Sequence, residues 1–285
     1  MSWQSAVILG IVQGLTELLP VSSSGHLVLV EKLLGLRLTD LSFEIAMHVA
    51  TAAAICFFLR GELTSIFRGL LPRAAAGPAG DDGTRRRGRA LLLALVVGTV
   101  PAVVLGFVAY DAIERAFHCV GLTVAMLPVT GVFLVSTRWA RDRGLSVSPL
   151  LALVIGVAQA VAIIPGISRS GLTVGAALLL GVKKEEAVRF SFLLSLPAIL
   201  GGAVLKLAKA AGESAPASGA AAAAAPSAAV SHVGTPALLI ASAVAFLFAL
   251  LAARTLLGVV RKGKLEYFGY YCILVGVAYL IYTLC

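Results

Sequence analysis

Charge is scarce in this sequence: Asp, Glu, Lys and Arg make up only 13% of its 285 residues, and aromatics only 7%. A soluble domain is about a quarter charged, so the shortfall excludes one. With 59% of residues hydrophobic, the class indicated is an integral membrane protein. The four cysteines, Cys56, Cys119, Cys272 and Cys285, have no metal-ligand spacing. In or beside apolar runs such residues behave as small hydrophobes, and a Cys119–Cys285 disulfide is not expected. No basic stretch opens the chain and Glu17 interrupts its first apolar run, so the N-terminus does not read as a signal peptide and is expected to stay in the mature protein. The net charge of +9 lies in short clusters between apolar segments, a pattern of membrane topology rather than of nucleic-acid binding.

Long hydrophobic runs are abundant. Six segments, about 42–60, 89–109, 119–138, 186–209, 236–258 and 266–284, reach the roughly 20 residues that a spanning helix needs. Two further apolar regions, 3–35 and 149–182, break at LLPVSSSGH and IPGISRSG. Their halves are too short to cross a bilayer, and backbone that breaks at membrane depth is tolerated only under protein or in a wet cavity. Both therefore read as re-entrant helical hairpins. Residues 61–88 are expected to form a cytoplasmic loop. The Ala-rich stretch 210–236 is low in complexity and broken by Pro and Gly, which predicts a disordered outer linker without chemistry; His232 within it is expected to be solvated.

The two hairpins are copies. A gap-free shift of 146 positions aligns GIVQGLTELLPVSSSGHLVLVEKLLG with GVAQAVAIIPGISRSGLTVGAALLLG, with nine of 26 positions identical. Shared apolar composition explains the Leu and Val matches but not Gln13/Gln159, Ser22/Ser168, Ser24/Ser170 and Gly25/Gly171. The predicted fold is thus an all-α polytopic membrane protein, a single domain over 1–285 built as an inverted repeat. Each half, 1–143 and 144–285, holds one re-entrant hairpin and three spans. Three intervening spans invert the second hairpin. Placing 61–88 inside puts seventeen of the 23 basic residues in the cytoplasm, among them Arg85, Arg86, Arg87, Arg89, Arg141, Arg143, Lys183, Lys184, Lys262 and Lys264. The positive-inside rule then sets both termini outside.

Between Arg143 and Lys183 the only charged residue is Arg169. An arginine at bilayer centre costs about 2.5–3.5 kcal/mol on the permissive insertion scale, so it needs a reason. Where the copies differ, Glu17 faces Ile163 in the alignment, Ser23 faces Arg169, and His26 faces Leu172. One half supplies a carboxylate, a hydroxyl and an imidazole, and the other a cation. Each tip leads into a helix through serines suited to N-caps, and two helix N-termini with a guanidinium make an anion site for which phosphate is the natural occupant. Ser23 or His26 could attack phosphorus, or His26 could serve as base for Ser23 or water. Glu17, with Gln13 one turn before it, could hold a divalent cation. Glu44 and His48, four apart on one span, read as a structural pair or site wall. Gln159 reads as a packing or supporting group, and 183–186 (KKEE) as a solvated helix start. A lipid-phosphate flippase or anion transporter would fit the repeat alone; the nucleophile and proton-transfer groups favour an enzyme.

QGLTE at 13–17, LPVSSSGH at 19–26, PGISRSGLT at 165–173 and FSFLLSLPA at 190–198 resemble the signature regions of the undecaprenyl-diphosphate phosphatases, also called bacitracin-resistance proteins, over essentially the whole chain. The resemblance implies a hydrolase of the bacterial plasma (inner) membrane that converts undecaprenyl diphosphate to undecaprenyl phosphate and inorganic phosphate. That product is the lipid carrier for cell-wall synthesis. It implies a divalent cation, Mg2+ or Ca2+, and a site opening to the periplasmic side. The acidic motif falls on Gln13 and Glu17, the serine–histidine motif on Ser22, Ser23, Ser24, Gly25 and His26, and the arginine motif on Ser168, Arg169, Ser170 and Thr173. Expected catalytic residues are Glu17, Ser23, His26 and Arg169; expected diphosphate contacts are Ser22, Ser24, Gly25, Ser168, Ser170 and Thr173; expected metal ligands are Glu17 and Gln13. Many members carry Glu where this chain has Gln13, so Glu17 is the carboxylate that remains. Expected partners are the polyprenyl diphosphate and membrane lipids, with bacitracin touching the system only through the shared substrate, no nucleic acid, and a homodimer left open.

Overall fold

The computed structural model describes residues 3–34, 41–71, 82–117, 119–213 and 234–284. Most of the 210–236 linker therefore lies outside the described residues, as does Cys285. The elements are helices: α1 (Trp3–Leu18), α2 (Ser23–Leu34), α3 (Leu41–Phe58), α4 (Arg60–Leu70), α5 (Asp82–Val108), α6 (Tyr110–Phe117), α7 (Val120–Ser136), α8 (Pro149–Val161), α9 (Arg169–Leu179), α10 (Lys184–Glu213), α11 (Thr235–Arg261) and α12 (Glu266–Leu284). A single 3-10 turn, Thr137–Trp139, extends α7, and no strand occurs among the described residues beyond one isolated bridge between Leu145 and Val182.

Among the described residues four helices, α5, α7 with its extension, α10 and α11, are long and apolar enough to cross a membrane, and α3 with α4, bent by 79° at their junction, makes a fifth when the two count as one span. Their outward faces carry Val96, Val100, Val103 and Val104 on α5 and Leu247 and Leu251 on α11. Such apolar exposure suits lipid, and the chain is a multi-pass membrane protein. The segment read as the last span, 266–284, is also a single helix. There α12 has 19 residues, about 28 Å of helix, close to the thickness of the hydrocarbon core. The hairpin halves α1, α2, α8 and α9 have 16, 12, 13 and 11 residues; none matches the ~30 Å hydrocarbon core at 1.5 Å per residue.

The expected loop 61–88 also needs correction, because α4 and the first turns of α5 occupy its described parts. The segment RGELTSIFRGL is neutral on average and reads as loop, yet it is tied down at its end. Arg85 Nη2 donates to Leu71 O at 2.7 Å and Arg89 Nε to Gly69 O at 2.7 Å, satisfying carbonyls at a helix C-terminus. An ion pair between Arg189 and Glu62 links α10 to α4.

Helix pairs approach through small residues, as membrane interfaces do. α1 packs on α11, α8 on α5, and α7 on α12. A Cβ added at Gly156 would lie 2.1 Å from Gly98 O, and one at Gly10 would lie 2.6 Å from Ala241 O. Gly131 and Gly269 face each other across α7 and α12 with the same 2.6 Å approach to carbonyl oxygen. α10 runs through the core, burying Phe190, Phe192, Leu193 and Leu194.

Candidate active site where the two hairpin tips meet

The apolar run of α1 ends at Leu18, before Pro20, and α2 begins at Ser23. The turn between them places Ser22 at φ +67°, a left-handed conformation that costs a residue with a Cβ about 1–3 kcal/mol. The second tip is built similarly. α8 ends at Val161, Gly166 takes the positive φ of +88°, and Ser168 caps α9 by accepting from Gly171 N at 3.1 Å. Within each tip the paired serines touch: Ser22 and Ser24 at 3.2 Å, Ser168 and Ser170 at 3.4 Å.

The tips are joined to each other. Gly166 N donates to Ser24 Oγ at 3.2 Å, and Ser170 Oγ donates to Leu19 O at 3.0 Å. Thr130 of α7 clamps the second tip, donating to Gly166 O at 3.3 Å and accepting from Ser168 N at 3.1 Å. The N-termini of α2 and α9 thereby meet, and their dipoles favour negative charge at the junction.

Glu17 is the centre of this junction and is buried. Arg169 Nη2 donates to its Oε1. Ser23 Oγ donates to its Oε2 at 2.8 Å, and Gln13 Nε2 donates to the same oxygen at 3.2 Å. Two groups remain unspent: Arg169 Nε and Gln13 Oε1 are buried without a hydrogen-bond partner. An unpaired buried polar atom costs about 1–3 kcal/mol, so each leaves unmet hydrogen-bonding capacity at the junction. From Glu17 a polar file runs outward along α3. His48 Nδ1 lies 3.7 Å from Glu17 Oε1, His48 Nε2 lies 3.9 Å from Glu44 Oε1, and Glu44 pairs with Lys206 of α10.

The residues the sequence nominated come together, with some turned otherwise than expected. Ser23 and His26 do not contact each other through their side chains. The His26 Nδ1 lies 2.8 Å from Ser22 O and Nε2 lies 2.8 Å from Tyr271 OH. A carbonyl only accepts, so Nδ1 carries the proton and the neutral ring accepts from Tyr271 at Nε2. The two rings also stack, 12° apart in plane. Thr173 is buried one turn behind Arg169, its hydroxyl donating to Arg169 O at 2.8 Å and touching Ser191. Gly25 lies where a Cβ would press on Leu127 at 3.0 Å. Gln159, the counterpart of Gln13, is buried with neither amide atom partnered.

Tyr271 and Thr130 were not among the expected site residues, and His48 was read with Glu44 as a structural pair or site wall. Tyr271 and Thr130 sit in apolar runs far from the motifs and carry no local signal. His48 did carry one, an imidazole and a carboxylate one turn apart inside an apolar span, which only the fold connects to Glu17.

A family described as "Bacitracin resistance protein BacA" matches residues 6–278. The chain is 38% identical over 289 residues to the undecaprenyl-diphosphatase of Desulfatibacillum aliphaticivorans, covering 99% of both chains. It is 38% identical to that of Korarchaeum cryptofilum, over 96% of this chain and 97% of the relative, and 36% identical to undecaprenyl-diphosphatase 1 of Bacillus cereus, over 97% and 96%. With the family's motifs gathered at one junction and near-full-length similarity on both sides, the chain belongs to the bacitracin resistance protein BacA family.

Proposed function

We propose that the chain hydrolyses undecaprenyl diphosphate to undecaprenyl phosphate and inorganic phosphate, at the junction of the hairpin tips. One observation carries the reading: the Ser23 hydroxyl is held on the Glu17 carboxylate beside the Arg169 guanidinium, at the meeting of two helix N-termini. A carrier would need the anion-binding groups, but not a hydroxyl poised on a carboxylate.

In this reading Arg169 turns its unpartnered Nε to the diphosphate, and the helix dipoles share the charge that spreads in the transition state. Ser23 Oγ attacks the terminal phosphorus and passes its proton to Glu17 Oε2, which it already contacts. The bridging P–O bond breaks and undecaprenyl phosphate leaves. Water then attacks the phosphoserine: its oxygen bonds to phosphorus, the P–Oγ bond breaks, both water hydrogens leave with the inorganic phosphate as H2PO4−, and Glu17 returns its proton to Ser23 Oγ.

A divalent cation, Mg2+ or Ca2+, would be held by Glu17 and by the unpartnered Oε1 of Gln13, whose Nε2 donates to the Glu17 carboxylate, since hard cations take oxygen ligands. Among the described residues no group of three His, Cys, Asp or Glu could hold a metal, so substrate oxygens would complete the shell. When bound, the ion would neutralise diphosphate charge.

The two halves are proposed to form an inverted repeat. Equivalent glycines support it: Gly10 seats α1 on α11, while Gly156 seats α8 on α5, so each hairpin packs on a span of the other half. The site is proposed to open to the outer face of the bacterial plasma membrane. The polar file from Glu17 through His48 to Glu44 and Lys206 leads toward the side with few basic residues. Phosphate release from the C55 diphosphate, with magnesium and with chelator, tests the activity and the ion together. Chelator-sensitive release is expected, and undiminished release in chelator would remove the cation from the account.

A further inference from the structure

His26 is the one expected catalytic residue whose chemistry the preceding reaction does not use, and its surroundings say why. Both ring nitrogens are occupied. Nδ1 gives its proton to Ser22 O at 2.8 Å, and Nε2 is held by the Tyr271 hydroxyl at 2.8 Å. The Tyr271 ring lies 5.5 Å away, centroid to centroid, nearly parallel to the imidazole. No nitrogen is left facing Ser23 or the space beside Arg169.

The carbonyl that His26 holds belongs to Ser22, the only residue other than glycine with a positive φ among the described residues. That strained turn is what directs the next side chain, Ser23, to Glu17. A left-handed serine persists only where its surroundings over-determine it, and the His26 Nδ1–H is such a restraint. Tyr271 in turn restrains His26. Its hydroxyl donates to Nε2 of the tautomer that the Ser22 carbonyl selects, and its ring, stacked on the imidazole, holds that plane.

We infer that Tyr271 and His26 are positioning residues: Tyr271 anchors Nε2 and the ring plane of His26, His26 locks the Ser22 turn, and the turn presents the Ser23 hydroxyl. α12 thus contributes to the reaction without touching the substrate. The inference rests on the phosphatase reading and makes a different prediction from one in which His26 is nucleophile or base.

The test compares purified wild type with His26→Ala, His26→Asn, Tyr271→Phe and the double variant His26→Ala/Tyr271→Phe, by steady-state phosphate release from C55 diphosphate. Thermal unfolding is followed in parallel. Asn can place an amide N–H near the position of Nδ1 but offers no basic nitrogen. The expected result is a loss of about 10²-fold in kcat for His26→Ala and a return to within about tenfold of wild type in His26→Asn. Tyr271→Phe should lose about tenfold in kcat with little change in KM, and nothing further once His26 is Ala. A His26→Asn protein that unfolds like wild type yet is as inactive as His26→Ala would overturn the role and return His26 to the chemistry. So would full activity in Tyr271→Phe, or additive losses in the double variant. Silence from a folded wild type would remove the phosphatase reading and this role with it, whereas an active wild type isolates the failure to the role.

Discussion

At Arg169 two demands meet. Its guanidinium neutralises Glu17, and its buried Nε has no hydrogen-bond partner, which the proposed reaction assigns to the diphosphate. Removing one partner of a buried ion pair leaves an uncompensated charge and costs about 3–5 kcal/mol. Arg169→Ala is therefore expected to lower the unfolding temperature clearly, while Arg169→Lys keeps the charge and stays close to wild type. Thermal unfolding in detergent distinguishes the two, and equal stability of both variants would mean that Glu17 has another counter-charge. Residue identities at the site were legible because they broke the rules of their surroundings: a carboxylate, an imidazole and a guanidinium in apolar runs. Orientation was not. Ser23 and His26 stand three apart at the start of one helix, yet one turns to Glu17 on α1 and the other to Tyr271 on α12, and no local pattern encodes the choice.

Among the elements, the hairpins were readable because a Pro and a serine-rich tip interrupt each apolar run, with Ser22/Ser168 and Ser24/Ser170 in register in the aligned copies. α4 was not, since its helix depends on the packing of Gly69 and Gly88 and on carbonyl capping by Arg85 and Arg89, contacts supplied by another helix. Close approach is the force that holds the hairpins to the spans. A Cβ at Gly156 would fall 2.1 Å from Gly98 O, so Gly156→Val must push α8 off α5, at a cost of about 1–3 kcal/mol or more. Gly61, on α4, has nothing within 4 Å of its Cβ position. Gly61→Ala should be neutral or stabilise by up to about 1 kcal/mol. Measured side by side by thermal unfolding, a tolerated Gly156→Val would show that the α5–α8 contact is softer than its geometry.

For the whole molecule, the proposed orientation places Cys119, exposed at the start of α7, outside, and the basic ends of α7 and α11 inside. A membrane-impermeant maleimide should label Cys119 in intact cells, while a cysteine substituted at Arg143 should react only after permeabilisation. The reverse pattern would invert the topology and turn the site toward the cytoplasm.

The central claim is that two hairpins, one with the hydroxyl and carboxylate and one with the guanidinium, form a single diphosphate-cleaving site. The most direct measurement is the initial rate of phosphate release from C55 diphosphate by folded wild type, Ser23→Ala and Arg169→Lys, with magnesium present. The account predicts release by the wild type and a fall of about 10²–10³-fold in each variant, although the two residues belong to different halves of the chain. Near-wild-type release in either variant, or none from a folded wild type, would contradict it.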